Sequence, residues 1–152
     1  MYTTVEKILF LQGVALFEGV PGQDLMPLAR LATIVRIPKQ TTIFRAGDPG
    51  DSLFVVVHGK VAIMKDQVEV AVLGKGEVFG EMAILDQEAR TMDAVVQQDA
   101  DLLRVSAEDF THALEDTVEV AAGVIRVLSR RIRAANDQAG TLTDEDGRTT
   151  IL

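Results

Sequence analysis

Two short runs hold the side chains best suited to chemistry: Gly80-Glu81-Met82-Ala83 and, nine residues after Glu81, Arg90-Thr91. Glycine at position 80 frees the backbone to turn. Glu81 to Leu85 can then form a single helical turn whose first N–H groups lack intrahelical partners, and such a helix start attracts anions. Arg90 is the only basic residue between Lys75 and Arg104. Its planar fork suits the oxygens of one phosphate, and Thr91 adds a hydroxyl donor beside it. Glu81 offers the opposite chemistry, a carboxylate that accepts from a sugar hydroxyl. Plainer readings stand beside these. Arg90 could be a surface arginine paired with Asp86, Glu88 or Asp93, Glu81 an ordinary first-turn acid that favours the helix dipole, and Thr91 a strand-end cap.

The segments around these runs fall into three patterns. Residues 1–32 read as helical, with Val5, Ile8, Leu9 and Leu11 at helical spacing and a second short helix from about Asp24 to Ala32. The breakers Gly19, Pro21 and Gly22 separate the two. From residue 33 to 106 the pattern is short strands between turns: Ile34–Ile37, Thr42–Phe44, Ser52–His58, Val61–Met64, Val68–Leu73 and Leu102–Val105. Strands at this spacing predict an antiparallel barrel or sandwich rather than a βαβ sheet. Helix returns at Ser106, which reads as an N-cap with Glu108 and Asp109 in the first turn. A longer helix spans about Val118 to Ala135, with Val120, Val124, Val127, Leu128 and Ile132 near one face. Arg126, Arg130, Arg131 and Arg133 gather toward its carboxyl end, as the helix dipole favours. Residues 136–152 are polar and acidic, and are expected to form a disordered tail.

Composition limits the function classes. A chain of 152 residues suits one domain. With no cysteine there is no disulfide framework, thiolate metal site or cysteine nucleophile. The net charge of −8 repels nucleic acid and anionic membranes on average. The apolar runs are far shorter than a membrane span, and the amino end lacks a secretory pattern, so a cytoplasmic protein that is not transmembrane is expected. His58 and His112, the only histidines, lie in different element types, which argues against a metal enzyme of the cupin kind.

The run Phe79-Gly80-Glu81-Met82-Ala83-Ile84-Leu85, then Arg90-Thr91 and Ala94-Val95-Val96, resembles the phosphate-binding cassette of cyclic nucleotide-binding domains, the family of the catabolite activator protein and the regulatory subunits of cAMP-dependent kinase. Upstream, Gly47-Asp48-Pro49-Gly50-Asp51-Ser52-Leu53-Phe54 and Gly59-Lys60-Val61 match the same family, as do Asp101-Leu102-Leu103-Arg104-Val105 and Asp109-Phe110 downstream. The resemblance covers roughly residues 5 to 135 without large gaps.

The resemblance implies a mainly β fold with flanking helices (α+β): an antiparallel β-roll or jelly roll, N-terminal helices over residues 1–32, the roll over 33–106, and C-terminal B and C helices over 107–135. It implies a ligand site at Phe79, Gly80, Glu81, Met82, Ala83, Arg90 and Thr91. Arg90 pairs with a cyclic phosphate, Glu81 holds the ribose 2′-hydroxyl, the Met82 and Ala83 amides face phosphate oxygens, and Thr91 donates to phosphate or base. The C-terminal helix acts as a lid; one of its arginines, Arg130 being the one singled out, could cap the base, although a solvated face is the plainer reading. Two features depart from the family pattern: Met92 stands where a small residue is usual, and Asp86-Gln87-Glu88-Ala89 brings two acids close to an anion site.

The expected function is a non-enzymatic sensor of cAMP or cGMP, needing no cofactor beyond that ligand. The alternative is a ligand-free interaction or oligomerisation module within a larger regulator, transporter or channel. Direct DNA binding is not expected. A homodimer through the C-terminal helix, or an effector protein, is the partner the resemblance allows.

Overall fold

The computed structural model describes residues 2–139. In chain order the elements are α1 (Thr4–Gln12), a 3-10 turn (Ala15–Phe17), α2 (Gly22–Leu31), β1 (Thr33–Ile37), β2 (Thr42–Phe44), β3 (Ser52–Lys65), β4 (Val68–Leu73), β5 (Val78–Phe79), α3 (Glu81–Leu85), β6 (Asp93–Ser106), α4 (Ala107–Asp116) and α5 (Val118–Ala139). The strands join one antiparallel sheet in the order β1-β6-β3-β4, with β2 also on β6 and β5 on β3.

Alternation along β3 creates two cores, because successive side chains of a strand point to opposite faces. Leu53, Val55 and Val57 enter a core shared with Leu11, Leu16, Phe17, Leu25, Phe110 and Val120 from the helical elements and the 3-10 turn. Phe54 and Val56 enter a second core inside the roll, with Phe79, Ala94, Val96 and Leu102. Burying both faces of one strand excludes water from both sides. That anchors the roll to the helices and leaves β5 and α3 supported from below.

Several expectations on element bounds need correction. The two strands expected at 52–58 and 61–64 are one bulged strand. Gly59 bridges them with φ +90, and a Cβ there would lie 2.3 Å from the Asp99 carbonyl oxygen, so the glycine permits a close crossing rather than ending the strand. β6 begins at Asp93, well before Leu102; the polar run Gln97-Gln98-Asp99 hides it because those residues are exposed. β5 has only two residues and no periodicity to read. α5 continues past 135 to Ala139, so residues 136–139 of the expected tail are helical, while the remainder of that tail lies outside the described residues. On α5, Val120, Val124 and Val127 are buried as expected, but Ile132 is exposed and belongs to another face.

The expected Ser106 cap is present, its hydroxyl accepting from the Asp109 amide at 3.1 Å. α1 opens with a reciprocal capping box between Thr3 and Glu6. No helix of the described residues is long and apolar enough to cross a membrane.

Candidate ligand-binding site

The chain reaches the site along β5, where Phe79 pairs with Phe54 and Val78 with Val55 of β3. Gly80 then takes φ +87, a left-handed conformation that costs glycine little. This turns the chain sharply and starts α3, whose first-turn amides have no carbonyl one turn back. The segment returns at Arg90, whose main chain is fixed by two bonds to the 47–48 turn. The Arg90 amide donates to the Asp48 carbonyl, and the Gly47 amide donates to the Arg90 carbonyl, each at 2.8 Å. The Gly47-Asp48 turn therefore holds the Arg90 main chain in place.

Arg90 is 5 % exposed. Its Nη1 donates to the Gly80 carbonyl and its Nη2 to the Ser52 carbonyl, both at 2.6 Å. One face of the guanidinium lies over the Phe44 ring, 4.0 Å from its centroid. The nearest carboxylate oxygen, on the mostly exposed Asp51, is 3.8 Å from Nη2. Burial lowers the Arg90 pKa from its ordinary value, against the opposing pull of Asp51, Asp48 and Glu81. The Nε of Arg90 and the hydroxyl of Ser52 are buried without a hydrogen-bond partner. Arg90 is thus a cation kept out of water, tied to carbonyls, with donors to spare.

Glu81 is also buried, and its partner comes from the last helix: Arg131 Nη1 donates to Glu81 Oε1 at 2.5 Å and lies 3.5 Å from the Met82 sulfur. α5 is thereby tied across the site to α3. Arg130, the candidate for capping the base, instead pairs with Glu18 at 2.6 Å. The ion pair at Glu18 holds that exposed carboxyl below the usual range.

All seven residues expected from the sequence line one cavity of about 360 Å³: Phe79, Gly80, Glu81, Met82, Ala83, Arg90 and Thr91. The structure adds Phe44, Ile63, Val78 and Met92 as apolar walls and Asp86 at the mouth. Met92 lines this space without filling it. Asp86 is exposed and accepts from the Glu88 amide at 3.0 Å, so one of the two loop acids is engaged with its own turn. Phe44 and Arg131 carry no local signal; each reaches the site from a distant part of the chain. A second cavity, about 480 Å³, lies beyond α3 against Pro49, Glu88 and Thr111, and no basic side chain lines it. No group of three or more His, Cys, Asp or Glu side chains able to hold a metal occurs among the described residues.

Residues 34–117 match the family model described as the cyclic nucleotide-binding domain. The chain belongs to that family. Two curated relatives of this cyclic nucleotide-binding domain are the cyclic AMP receptor protein of Thermus thermophilus and the CRP-like cAMP-activated global transcriptional regulator of Mycobacterium tuberculosis. The first is 30% identical over 93% of this chain and 68% of its own length. The second is 28% identical over 95% and 66%. The chain thus spans about two thirds of the length of these relatives. Among solved structures, the N-terminal domain of a transcriptional regulator from Streptomyces coelicolor A3(2) superposes with a TM-score of 0.73 at 30% identity, covering 84% of this chain and 95% of that one. The cyclic nucleotide-binding domain is a regulatory module.

Proposed function

We propose that this domain senses a 3′,5′-cyclic purine nucleotide, with cAMP the first candidate and cGMP the second, and passes occupancy to α5. The observation that carries the reading is the Arg90 guanidinium: buried, lining the cavity, and still holding unused N–H donors. A cyclic phosphodiester brings one negative charge, which matches one such cation and the amides of Met82 and Ala83. Glu81 accepts the ribose 2′-hydroxyl. The apolar walls at Phe44, Ile63, Val78 and Met92 suit a purine face, and Thr91, which lines the same cavity, donates to phosphate or base. The names of the two curated relatives favour cAMP.

The route to α5 runs through Arg131. Arg131 donates to the same carboxylate that would hold the sugar, so ligand and helix meet at one group. A ligand shifts α5 only by the difference in its affinity for the two helix arrangements.

The alternative function, an interaction or oligomerisation module, is favoured by one feature. Val118, Ile125 and Ile132 are exposed on α5 at intervals of seven residues, the repeat of a coiled-coil seam. We read this stripe as a homodimer contact, which is compatible with sensing. Thermal melting with cAMP, cGMP and linear 5′-AMP separates a sensor from a pure scaffold. A ligand that binds only the native state raises the midpoint. The sensor reading expects a rise with a cyclic nucleotide and little with 5′-AMP; no rise with either cyclic nucleotide leaves only the scaffold.

A further inference from the structure

We propose that Phe44 is a positioning residue of the ligand site, its ring clamping the Arg90 guanidinium so that the donors left over from the two carbonyls stay aimed for an anionic oxygen. This rests on the sensor reading above. Two carbonyls, Gly80 and Ser52, take one N–H from each terminal nitrogen of Arg90. Two such bonds fix a line through the guanidinium but leave it free to tilt about that line. A ring face 4.0 Å from Cζ removes the tilt. The same contact compensates part of the cost of burying a cation whose nearest carboxylate is 3.8 Å away and mostly solvated, because the negative ring face attracts the guanidinium.

Phe44 is itself immobilised. Its main chain pairs with Ala94 of β6. Its ring packs tilted against Phe54 at 6.4 Å and Phe79 at 6.0 Å, and those two stack on each other at 5.3 Å. Phe79 directly precedes Gly80, so the aromatic group links β2, β3 and β5 to the turn that supplies one of the Arg90 carbonyls. An aliphatic side chain at 44 would fill much of this volume and keep the strand, yet offer no attractive face to the cation.

The test is calorimetric titration of cAMP into the wild-type chain and into the Phe44→Leu and Phe44→Tyr variants. Phe44→Leu is expected to weaken binding by about fivefold to thirtyfold, and Phe44→Tyr, which keeps the ring, by no more than about twofold. Equal affinities in wild type and Phe44→Leu, or equal losses in the Leu and Tyr variants, overturn the proposal. Should the Leu variant fail to fold, Phe44→Met takes its place. If the wild-type chain binds neither cAMP nor cGMP, the sensor reading falls while the clamp is still judged on the unliganded protein. A urea-unfolding cycle of Phe44→Leu, Arg90→Met and the double variant must then show non-additive stabilities; strict additivity removes the clamp.

Discussion

A guanidinium shut away from water normally has all its N–H groups engaged, since a buried unpaired donor costs about 1–3 kcal/mol. Arg90 departs from this: two carbonyls take one donor each, Nε has no partner, and the closest acid is largely solvated. In the proposed sensor, a bound anion gives this guanidinium a further partner. Gly80 sets the same geometry from the other side. Its φ of +87 and the 2.7 Å separation between a would-be Cβ and Arg90 Nη1 make the position doubly intolerant of a side chain. Gly80→Ala is expected to lower stability by about 1–2 kcal/mol through the left-handed backbone and to displace the guanidinium. Urea unfolding and cAMP titration read the two effects separately, and a stable variant with unchanged binding would contradict this account of the turn. These two residues were legible in the sequence because the cassette is local: Phe79 through Thr91 sit within one continuous stretch, and each residue type declares its part. Phe44 and Arg131 were not, since nothing near them in the chain hints at a cation over a ring or a bond from the last helix to α3.

Between elements, the bond from Arg131 to Glu81 ties α5 to α3. Arg131 is partly exposed while Glu81 is buried, so cutting the bond releases the helix end and leaves a carboxylate in a poor environment. Arg131→Ala is therefore expected to speed hydrogen exchange in the second half of α5 in the unliganded protein, with exchange in β3 unchanged; identical α5 exchange in both proteins would rule out the tie. A second inter-element device joins β1 to β6. Arg36 of β1 donates to Asp101 of β6 at 2.8 Å, and the Tyr2 hydroxyl adds a bond at 3.2 Å. The Arg36 bond, assisted by Tyr2, holds the Asp101 carboxyl below its ordinary value against the effect of burial. A depressed folded-state pKa stabilises the fold above the unfolded value of about 3.9, and that stabilisation is lost as pH falls through the folded value. Asp101→Asn should thus cost stability at pH 7 and progressively less below about pH 4. Urea unfolding across that range checks it, a pH-independent difference being the contrary result.

Strand legibility followed the same physics. The sequence marks β2 and β4 to their ends because turns bound them on both sides. It marks β6 only where Leu102, Leu103 and Val105 are buried, as its exposed Gln97-Gln98-Asp99 run looks like loop.

For the molecule as a whole, uncovered apolar side chains occur on α1, α2 and β4 as well as on α5, and those on α5 form a regular stripe. α5 buries Val120, Val124 and Val127 against the domain and leaves Val118, Ile125 and Ile132 outward at a seven-residue repeat. A homodimer through this seam is the expected assembly. Replacing both Ile125 and Ile132 with glutamate should give monomers in sedimentation analysis while the cavity at Arg90 stays intact; a wild-type chain that is already monomeric at high concentration would exclude the seam.

The proposed sensing role rests on one buried arginine receiving a cyclic phosphate. Its most direct test is calorimetric titration of cAMP, and then cGMP, into the wild-type chain and the Arg90→Ala variant, since a charge-assisted bond of about 1.5–3 kcal/mol is at stake. Saturable binding by the wild type, weakened about tenfold or more in the variant, is the predicted result. Equal affinity in the two proteins would contradict it.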